Sequence, residues 1–524
     1  MKYIKTMLLM PALLAMAVGA TGCNDTWDDH YEAPVEGSDK TIYEAISENP
    51  DLSTFKQMID NAGYAKMLNS TQTFTVWAPV NESFNGFDLN DEALVRRTVL
   101  NHLARFNRST ADNSSNGIRM YNGKKMRFDG QTFSGISILS ANNLCNNGVL
   151  HTMDGVIPYV YNIREYIDSH DETSSIASFL ARFDEELFDL ENSIPLDVND
   201  KGETVYDSVK IEYNRLLDYP YTGLGPIADE DSTFTMIVPS NKAWSEAYDR
   251  IKPWFVTNSD SITDVQTSLA VFQDMVFRQN ITDPSGYRML TSTTGSEYLD
   301  ITDLFGTSSY INASNGSIWL TDAMTQKPVE SWNREIEIES EAAVTRRMLT
   351  STNSYCTTMN VDADSPFADE ISEMSYIYIS SSRLNNAGAE FTINNPLSGT
   401  YKIYAYFVPA IVDNPTATAE TTRLQFSVTH PRDANSTRTT TVNYKNNDFL
   451  TSPTEVTEMY VGEITFPCSS YVDRLRPMAD GYDPTSDESK FKITVQTNVS
   501  QTEFNQGTLQ RSFRIDRVVL VPVI

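Results

Sequence analysis

Cysteine, basic charge and long apolar runs are all scarce in this 524-residue chain. Its 4 cysteines include no Cys-x-x-Cys pair, and that spacing excludes a zinc knuckle or a dithiol redox motif. With Cys23 set aside near the start of the chain, Cys145, Cys356 and Cys468 remain; buried free thiols are expected from the odd count, and a Cys356–Cys468 bridge is the alternative. Only 40 Lys and Arg stand against 70 Asp and Glu, a formal charge of −30. Such a surface repels phosphates, so nucleic acid is excluded as a partner. After Val18 no stretch approaches the roughly 20 apolar residues that a membrane-spanning helix needs.

Motifs of catalysis are missing as well. The chain has no Gly-x-Ser-x-Gly elbow, no His-Glu-x-x-His, no phosphate-cradling glycine loop and no EF-hand loop. Among so many carboxylates a glycosidase-like pair cannot be picked out by eye. The expectation is a protein that is not an enzyme and that takes no cofactor and no metal.

What is present begins at the leader. Lys2 and Lys5 precede an apolar run from Met7 to Val18, and Ala20-Thr21-Gly22-Cys23 follows, the arrangement of an export signal. The last four residues resemble a bacterial lipobox, with Ala20 where Leu is usual. That resemblance implies acylation of Cys23 and cleavage before it; the alternative is an ordinary secretory peptide with an incidental cysteine. Acidic residues Asp25, Asp28 and Asp29 then form a tether. It resembles the tethers of surface lipoproteins from glycan-degrading Gram-negative gut bacteria, which implies an outer-membrane protein facing the exterior. A solvated linker is the other reading.

The stretch Thr73 to Phe84 joins a strand to a helix start. Phe74, Val76 and Ala78 alternate with Thr73, Thr75 and Trp77, the pattern of a half-buried strand, and Pro79 ends it. Asn81 is then expected to cap the following helix. The device returns at Thr233 to Trp244, with Phe234, Met236 and Val238, then Pro239 and Asn241. Two copies imply two related domains.

In the first copy, helices are expected from Asp39 to Glu48, from Asp51 to Gly63, and along the stripe Leu94, Val95, Val99, Leu103 and Phe106. Strands follow at Ile118–Tyr121, Lys125–Phe128, Ile136–Leu139 and Val149–Met153. His102 and His151 have no visible ligand cluster around them and read as structural. In the second copy, helical periodicity runs from Ile163 to Leu190 and from Val265 to Phe277. An insertion carries a strand at Val205–Tyr213, and its tyrosines suit either a recognition loop or an elaborated sheet edge.

Thr73 to Phe84, Leu100-Asn101-His102 and Asn147 to Ile157 resemble the signatures of fasciclin-type domains, with Asn101 where a Tyr is usual. The second copy resembles them less, lacking both histidines. The resemblance implies two α+β units and a role in adhesion. From Ser331 onward, eight or nine short strands predict a β-sandwich. Glu335 to Glu339, Pro396 to Ile403 and Arg514 to Leu520 resemble landmarks of galactose-binding-like sandwiches, which include carbohydrate-binding modules.

The expected architecture is therefore multidomain: a leader at 1–22, a lipidated tether at 23–37, and fasciclin-like domains at 38–162 and 163–328, the second with an insertion at about 192–231. A jelly-roll-like, all-β sandwich completes it at 329–524. Along Tyr401 to Val408, Ile403, Ala405 and Phe407 take one face; Lys402, Tyr404, Tyr406 and Val408 take the other. Tyr376 and Tyr378 form a similar pair. Aromatic faces cover sugar C–H surfaces while hydroxyl and ammonium groups meet sugar oxygens, so Lys402, Tyr404, Tyr406, Tyr376 and Tyr378 are the candidate ligand residues. The same tyrosines would equally pack under a loop. Two functions are expected: an accessory glycan-binding component of a nutrient-uptake system, with polysaccharide or a transporter complex as partner, or adhesion to host or neighbouring cells.

Overall fold

The computed structural model describes residues 39–111, 117–198, 204–218, 223–413, 415–416, 420–470 and 490–524. The leader, Cys23 and the tether lie outside the described residues. Two compact units divide at Tyr159 and Val160. The expected boundary at 162 thus moves, because Tyr161 and Asn162 serve the second unit: the Tyr161 carbonyl accepts from Ser314 N at 2.9 Å, and Asn162 caps the helix Ile163–Ser169.

In the first unit the strand Phe74–Pro79 lies between Leu103–Arg105, antiparallel, and Gly148–Met153, parallel. The sheet continues through Ile136–Cys145 to Thr132–Phe133. Phe74–Pro79 is buried along its whole length, not on one face as its alternation suggested. Phe74, Val76 and Ala78 pack with the helices, whereas Trp77 stacks on Phe133 at 4.1 Å in a second core with Phe128 and Met153. Alternation here sorts residues between two cores. Thr75, fully buried between them, is satisfied by the Phe106 carbonyl at 2.7 Å and Arg108 N at 2.8 Å.

The helix Ile42–Glu48 begins in a capping box of Thr41 and Glu44. After it, Asn49 caps the 3-10 turn Pro50–Leu52, accepting from Asp51 N, and the expected helix from Asp51 begins at Ser53. Helix Glu92–Asn101, capped by Asp91, stops where His102 turns the chain into a strand. Leu103 therefore ends the helical stripe in a sheet, and Phe106 is exposed at φ 67°.

The second unit repeats the arrangement. Phe234–Pro239 pairs antiparallel with Val276–Phe277 and parallel with Gly316–Thr321, and Ser309–Ala313 is next to the latter. Helix Asp260–Phe272 ends before Val276, earlier than expected. The predicted helix through Leu190 breaks at Phe183; Asp184–Val198 is a strand that pairs with Thr204–Asn214. This hairpin forms a two-stranded sheet of its own, so it does not extend the edge of the larger one.

Asn81 and Asn241 both cap, but they cap a different helix from the one expected. Asn81 Oδ1 accepts from Thr54 N at 2.9 Å, at the start of helix Ser53–Asn61, while its Nδ2 donates to the Pro50 carbonyl at 2.8 Å. Asn241 Oδ1 accepts from Ser175 N at 2.8 Å, at the start of helix Ser174–Leu180, and its Nδ2 donates to the Asp171 carbonyl at 2.7 Å. The helix that follows Pro239 is capped by Ser240 instead. Each asparagine thus ties the end of the central strand to an earlier helix. Replacing either by alanine leaves an unmet N–H and carbonyl, with an expected cost of about 1–2 kcal/mol. Urea unfolding of the full chain checks this; a midpoint unchanged in both variants would refute the tertiary cap.

The C-terminal sandwich has two sheets. One runs Ser354–Asn360, Ser375–Ser381, Phe513–Val523, Gly399–Phe407, Thr457–Phe466, with Ile336–Glu339 also paired to Phe513–Val523. The other runs Arg346–Met348, Gly388–Thr392, Lys492–Thr497, Arg423–Pro431, Thr439–Leu450. Phe391, Ile403, Phe407, Phe426, Ile493 and Ile515 fill the core between them. The sandwich is also joined to the second repeat: Leu397 and Trp332 share a core with Phe255 and Ile237, and Ser398 bonds to the carbonyls of Pro253 and Trp254.

Candidate functional site

Strand Gly399–Phe407 places its side chains as its alternation requires. Tyr401, Ile403, Ala405 and Phe407 are buried, Tyr404 and Tyr406 are half-buried, and Lys402 is exposed. Its neighbours decide what meets these three. In register, Lys402 faces Glu463 and Val521, Tyr404 faces Tyr460 and Val519, and Tyr406 faces Glu458. On the far side of Phe513–Val523, Glu337 pairs with Val519. Lys402, Tyr404, Tyr406, Glu458, Arg517 and Glu337 thereby surround a concavity of about 360 Å³ on the outer sheet face.

The rings and charges are fixed to one another. Tyr404 and Tyr460 lie 5.4 Å apart at 48°. The Arg517 guanidinium sits 4.3 Å from the Tyr406 ring centroid, within reach of a cation–π attraction, and is ion-paired to Glu337 at 2.9 Å and to Asp516 at 2.6 Å. Burial, followed by the nearby Glu458 carboxylate, raises the Tyr406 phenol above its usual pKa, so at neutral pH it keeps its proton and can donate.

Tyr376 and Tyr378 do not join this site. Tyr376 is 1 % exposed and packs with Val361, Ile371 and Val408 under the segments that follow its neighbours. Val408 is buried with it instead of extending the outer face. Tyr378 lies outside the concavity, on the strand beyond Phe513–Val523, where it pairs with Arg514, whose guanidinium is 4.8 Å from its ring and bonded to Asp413 at 2.9 Å. Alternation gives the face a side chain takes and says nothing of a loop laid over that face.

Sequence reading missed Tyr460, Glu458, Arg517 and Glu337. In Thr457–Phe466, Met459 and Val461 point inward, but so do Ile464 and Phe466, one residue out of phase. The register with Gly399–Phe407 shifts between Ile403 and Tyr404, opposite Gly462 at φ 146°. A bulge of this kind reverses which residues face out, and only the pairing reveals it.

The histidines serve the fold. Buried His102 donates from Nδ1 to the Trp77 carbonyl at 2.8 Å and accepts Ile157 N at Nε2 at 3.1 Å, and burial lowers its pKa to about 4. His151 bonds the Arg108 carbonyl at 2.9 Å and stacks on Trp77. In the second repeat Trp319 takes its register position, and the indole N–H donates to the Ile281 carbonyl at 2.9 Å. The bond survives without the histidine. Cys145, Cys356 and Cys468 are free, but only Cys468 is buried; the other two are half-buried. Among the described residues no group of three or more His, Cys, Asp or Glu is placed to hold a metal ion, and no helix is long and apolar enough to cross a membrane.

Residues 50–159 match the Fasciclin domain family. A FAS1 domain-containing protein of Saccharomyces cerevisiae is 41 % identical over 44 residues, 8 % of this chain; the chain spans only 5 % of that relative's length. Among solved structures, a FAS1 domain pair from the insect cell adhesion molecule Fasciclin I is 14 % identical, covering 54 % of this chain and 99 % of its own at a TM-score of 0.20. A family 35 carbohydrate-binding module from Clostridium thermocellum is 10 % identical, covering 36 % and 98 %, at a TM-score of 0.17.

Proposed function

We propose that this chain is a non-enzymatic binding protein, lipid-anchored at Cys23 on the outer membrane and facing the exterior, which holds polysaccharide on the outer face of its sandwich. Its role is accessory to a nutrient-uptake system, with a transporter as neighbour. The observation that carries this is the gathering of Lys402, Tyr404 and Tyr406 with Glu458 and Arg517 around one concavity, with the Tyr460 ring against that of Tyr404. Two tyrosine rings present apolar area to the C–H face of a sugar, and flanking groups of both signs bond its hydroxyls. Glu335, Glu337 and Glu458 outnumber Lys402 and Arg517, which favours a neutral glycan over an anionic one. In the repeats, the polar groups singled out by sequence are spent on the fold.

Affinity electrophoresis of the full chain in gels containing neutral polysaccharides tests the reading. Retardation is expected for the wild type and should fall at least tenfold in apparent affinity in Tyr404→Ala and Tyr406→Ala, since stacking is the main apolar contact. Retardation unchanged in both folded variants would remove the site from this face. Adhesion is the second reading, favoured by the Fasciclin match at residues 50–159; binding to cells but to no polysaccharide would support it. Separately, Cys23→Ala is expected to move the protein from the membrane fraction to the soluble fraction, and full membrane retention would contradict acylation at Cys23.

A further inference from the structure

Charge is spread unevenly along this acidic chain. Between residues 93 and 128 stand 8 Lys and Arg against one acid, Asp112, a net charge of +7 in a chain whose formal charge is −30. The first unit sets several of these cations side by side. Ile118–Arg119 pairs antiparallel with Lys125–Met126, so Arg119 is opposite Lys125, and the antiparallel bridge of Ala104 with Met120 places Arg105 next to Arg119. Arg105, Arg119 and Lys125 thus form an exposed row across three strands, about 10 Å long at the usual strand spacing. Ile118, Met120 and Met126 point the other way, into the core with Trp77. Like charges that face one another across strands destabilise a sheet, so the fold gains nothing from this row.

Aromatic rings lie beside it. The Arg105 guanidinium is 5.2 Å from the Tyr121 ring, Tyr121 is 6.4 Å from Tyr64, and Arg96, on the helix Glu92–Asn101, is 5.7 Å from Tyr64. Two guanidinium groups therefore bracket two half-buried rings. Cation–π contact holds each group in place, and its N–H donors still suit a carboxylate or sulfate, which a planar fork binds through two bonds. The diffuse charge of a lipid surface asks for no such fixing, and the rings add apolar area for sugar C–H groups. We propose that this face of the first unit binds an acidic polysaccharide, with Arg96, Arg105, Arg119 and Lys125 on its carboxylate or sulfate groups and Tyr64 and Tyr121 against its rings. It is distinct from the sandwich face, where carboxylates favour a neutral glycan, and stands without it.

Biolayer interferometry of the full chain over immobilised polygalacturonate, which carries carboxylates, and heparin, which adds sulfates, tests the proposal. The wild type is expected to bind at least one of the two, more weakly as salt rises. Arg105→Gln and Arg119→Gln combined in one chain should weaken that binding at least tenfold. Arg347→Gln combined with Arg383→Gln removes as much charge from exposed positions of the sandwich and should leave it unchanged, as should Tyr404→Ala. That last variant keeps the two readings apart, because it is expected to lose neutral polysaccharide alone. A further measurement needs no variant: the bound polymer should slow phenylglyoxal modification of Arg96 and Arg105 in the wild type. Binding to neither polymer would overturn the proposal, and so would binding to phosphatidylglycerol vesicles or single-stranded DNA in their place. An unchanged affinity in the folded Arg105→Gln, Arg119→Gln chain, an equal loss in the sandwich control, or Arg96 and Arg105 modified at the same rate with and without polymer would each do the same.

Discussion

Alanine at Gly148 or Gly316 is expected to destabilise its unit by about 3–5 kcal/mol, the upper end of what single substitutions do. Both glycines open the strand that runs parallel to the central one, at φ 149° and 144°. A Cβ at Gly148 would lie 1.9 Å from the Phe74 carbonyl oxygen, and one at Gly316 would lie 1.8 Å from that of Phe234. The clashing atoms are backbone, so relief requires breaking the Phe74↔Gly148 or Phe234↔Gly316 pairing. The residue before each glycine fixes the same corner. Asn147 accepts from Ile42 N at 2.8 Å and donates to the Leu68 and Ser70 carbonyls; Asn315 accepts from Ile163 N at 3.1 Å and donates to those of Ile227 and Asp229. Urea unfolding of the full chain provides the measurement, with Gly286→Ala as the control, since nothing lies within 4 Å of a Cβ there. Midpoints for Gly148→Ala and Gly316→Ala equal to the control's would contradict the account.

Asp516 is expected to make the sandwich less stable as pH rises. It is fully buried, and its Oδ2 accepts from Arg517 at 2.6 Å and from Ser372 N at 3.3 Å, while Oδ1 meets no partner among the described residues. Burial pushes its pKa up to about 7 from 3.8, with Arg517 opposing and Glu339 and Glu341 adding to the rise. The folded state therefore holds a proton that the unfolded state releases between those values. The stabilisation is complete below about pH 4 and is lost as pH climbs through 7. At about 1.4 kcal/mol per unit the span amounts to roughly 4 kcal/mol. Asp516→Asn should abolish this component: its urea midpoint should change less than the wild type's between pH 5 and pH 8 and exceed it at pH 8. Parallel pH profiles for the two proteins would rule the buried carboxyl out as the cause.

Much of the fold was legible because its signals are local. The repeated run from Thr73 and again from Thr233 gave two related units, and alternation from Ser331 onward gave a sandwich. What stayed hidden depends on pairing across long stretches of chain. Asn81 has the local pattern of a cap for the helix it opens, yet its partners are the Pro50 carbonyl and Thr54 N. Thr439–Leu450 gives no apolar alternation because, at a sheet edge, most of its Thr, Asn and Lys side chains face solvent. At the candidate site, Lys402, Tyr404 and Tyr406 followed from one strand's own period. Tyr460 and Arg517 required the register of the neighbouring strands, and the burial of Tyr376 required knowing that residues near Val361 and Ile371 cover it.

The claim that glycan lies against the outer sheet face is tested most directly by hydroxyl-radical footprinting of the full chain, with and without a polysaccharide that retards it in the gel. Tyr404, Tyr406 and Tyr460 should lose reactivity when polysaccharide is bound, while Tyr355 and Tyr310, exposed elsewhere, keep theirs. Protection confined to the repeats, with the three sandwich tyrosines still oxidised at their free rate, would contradict it.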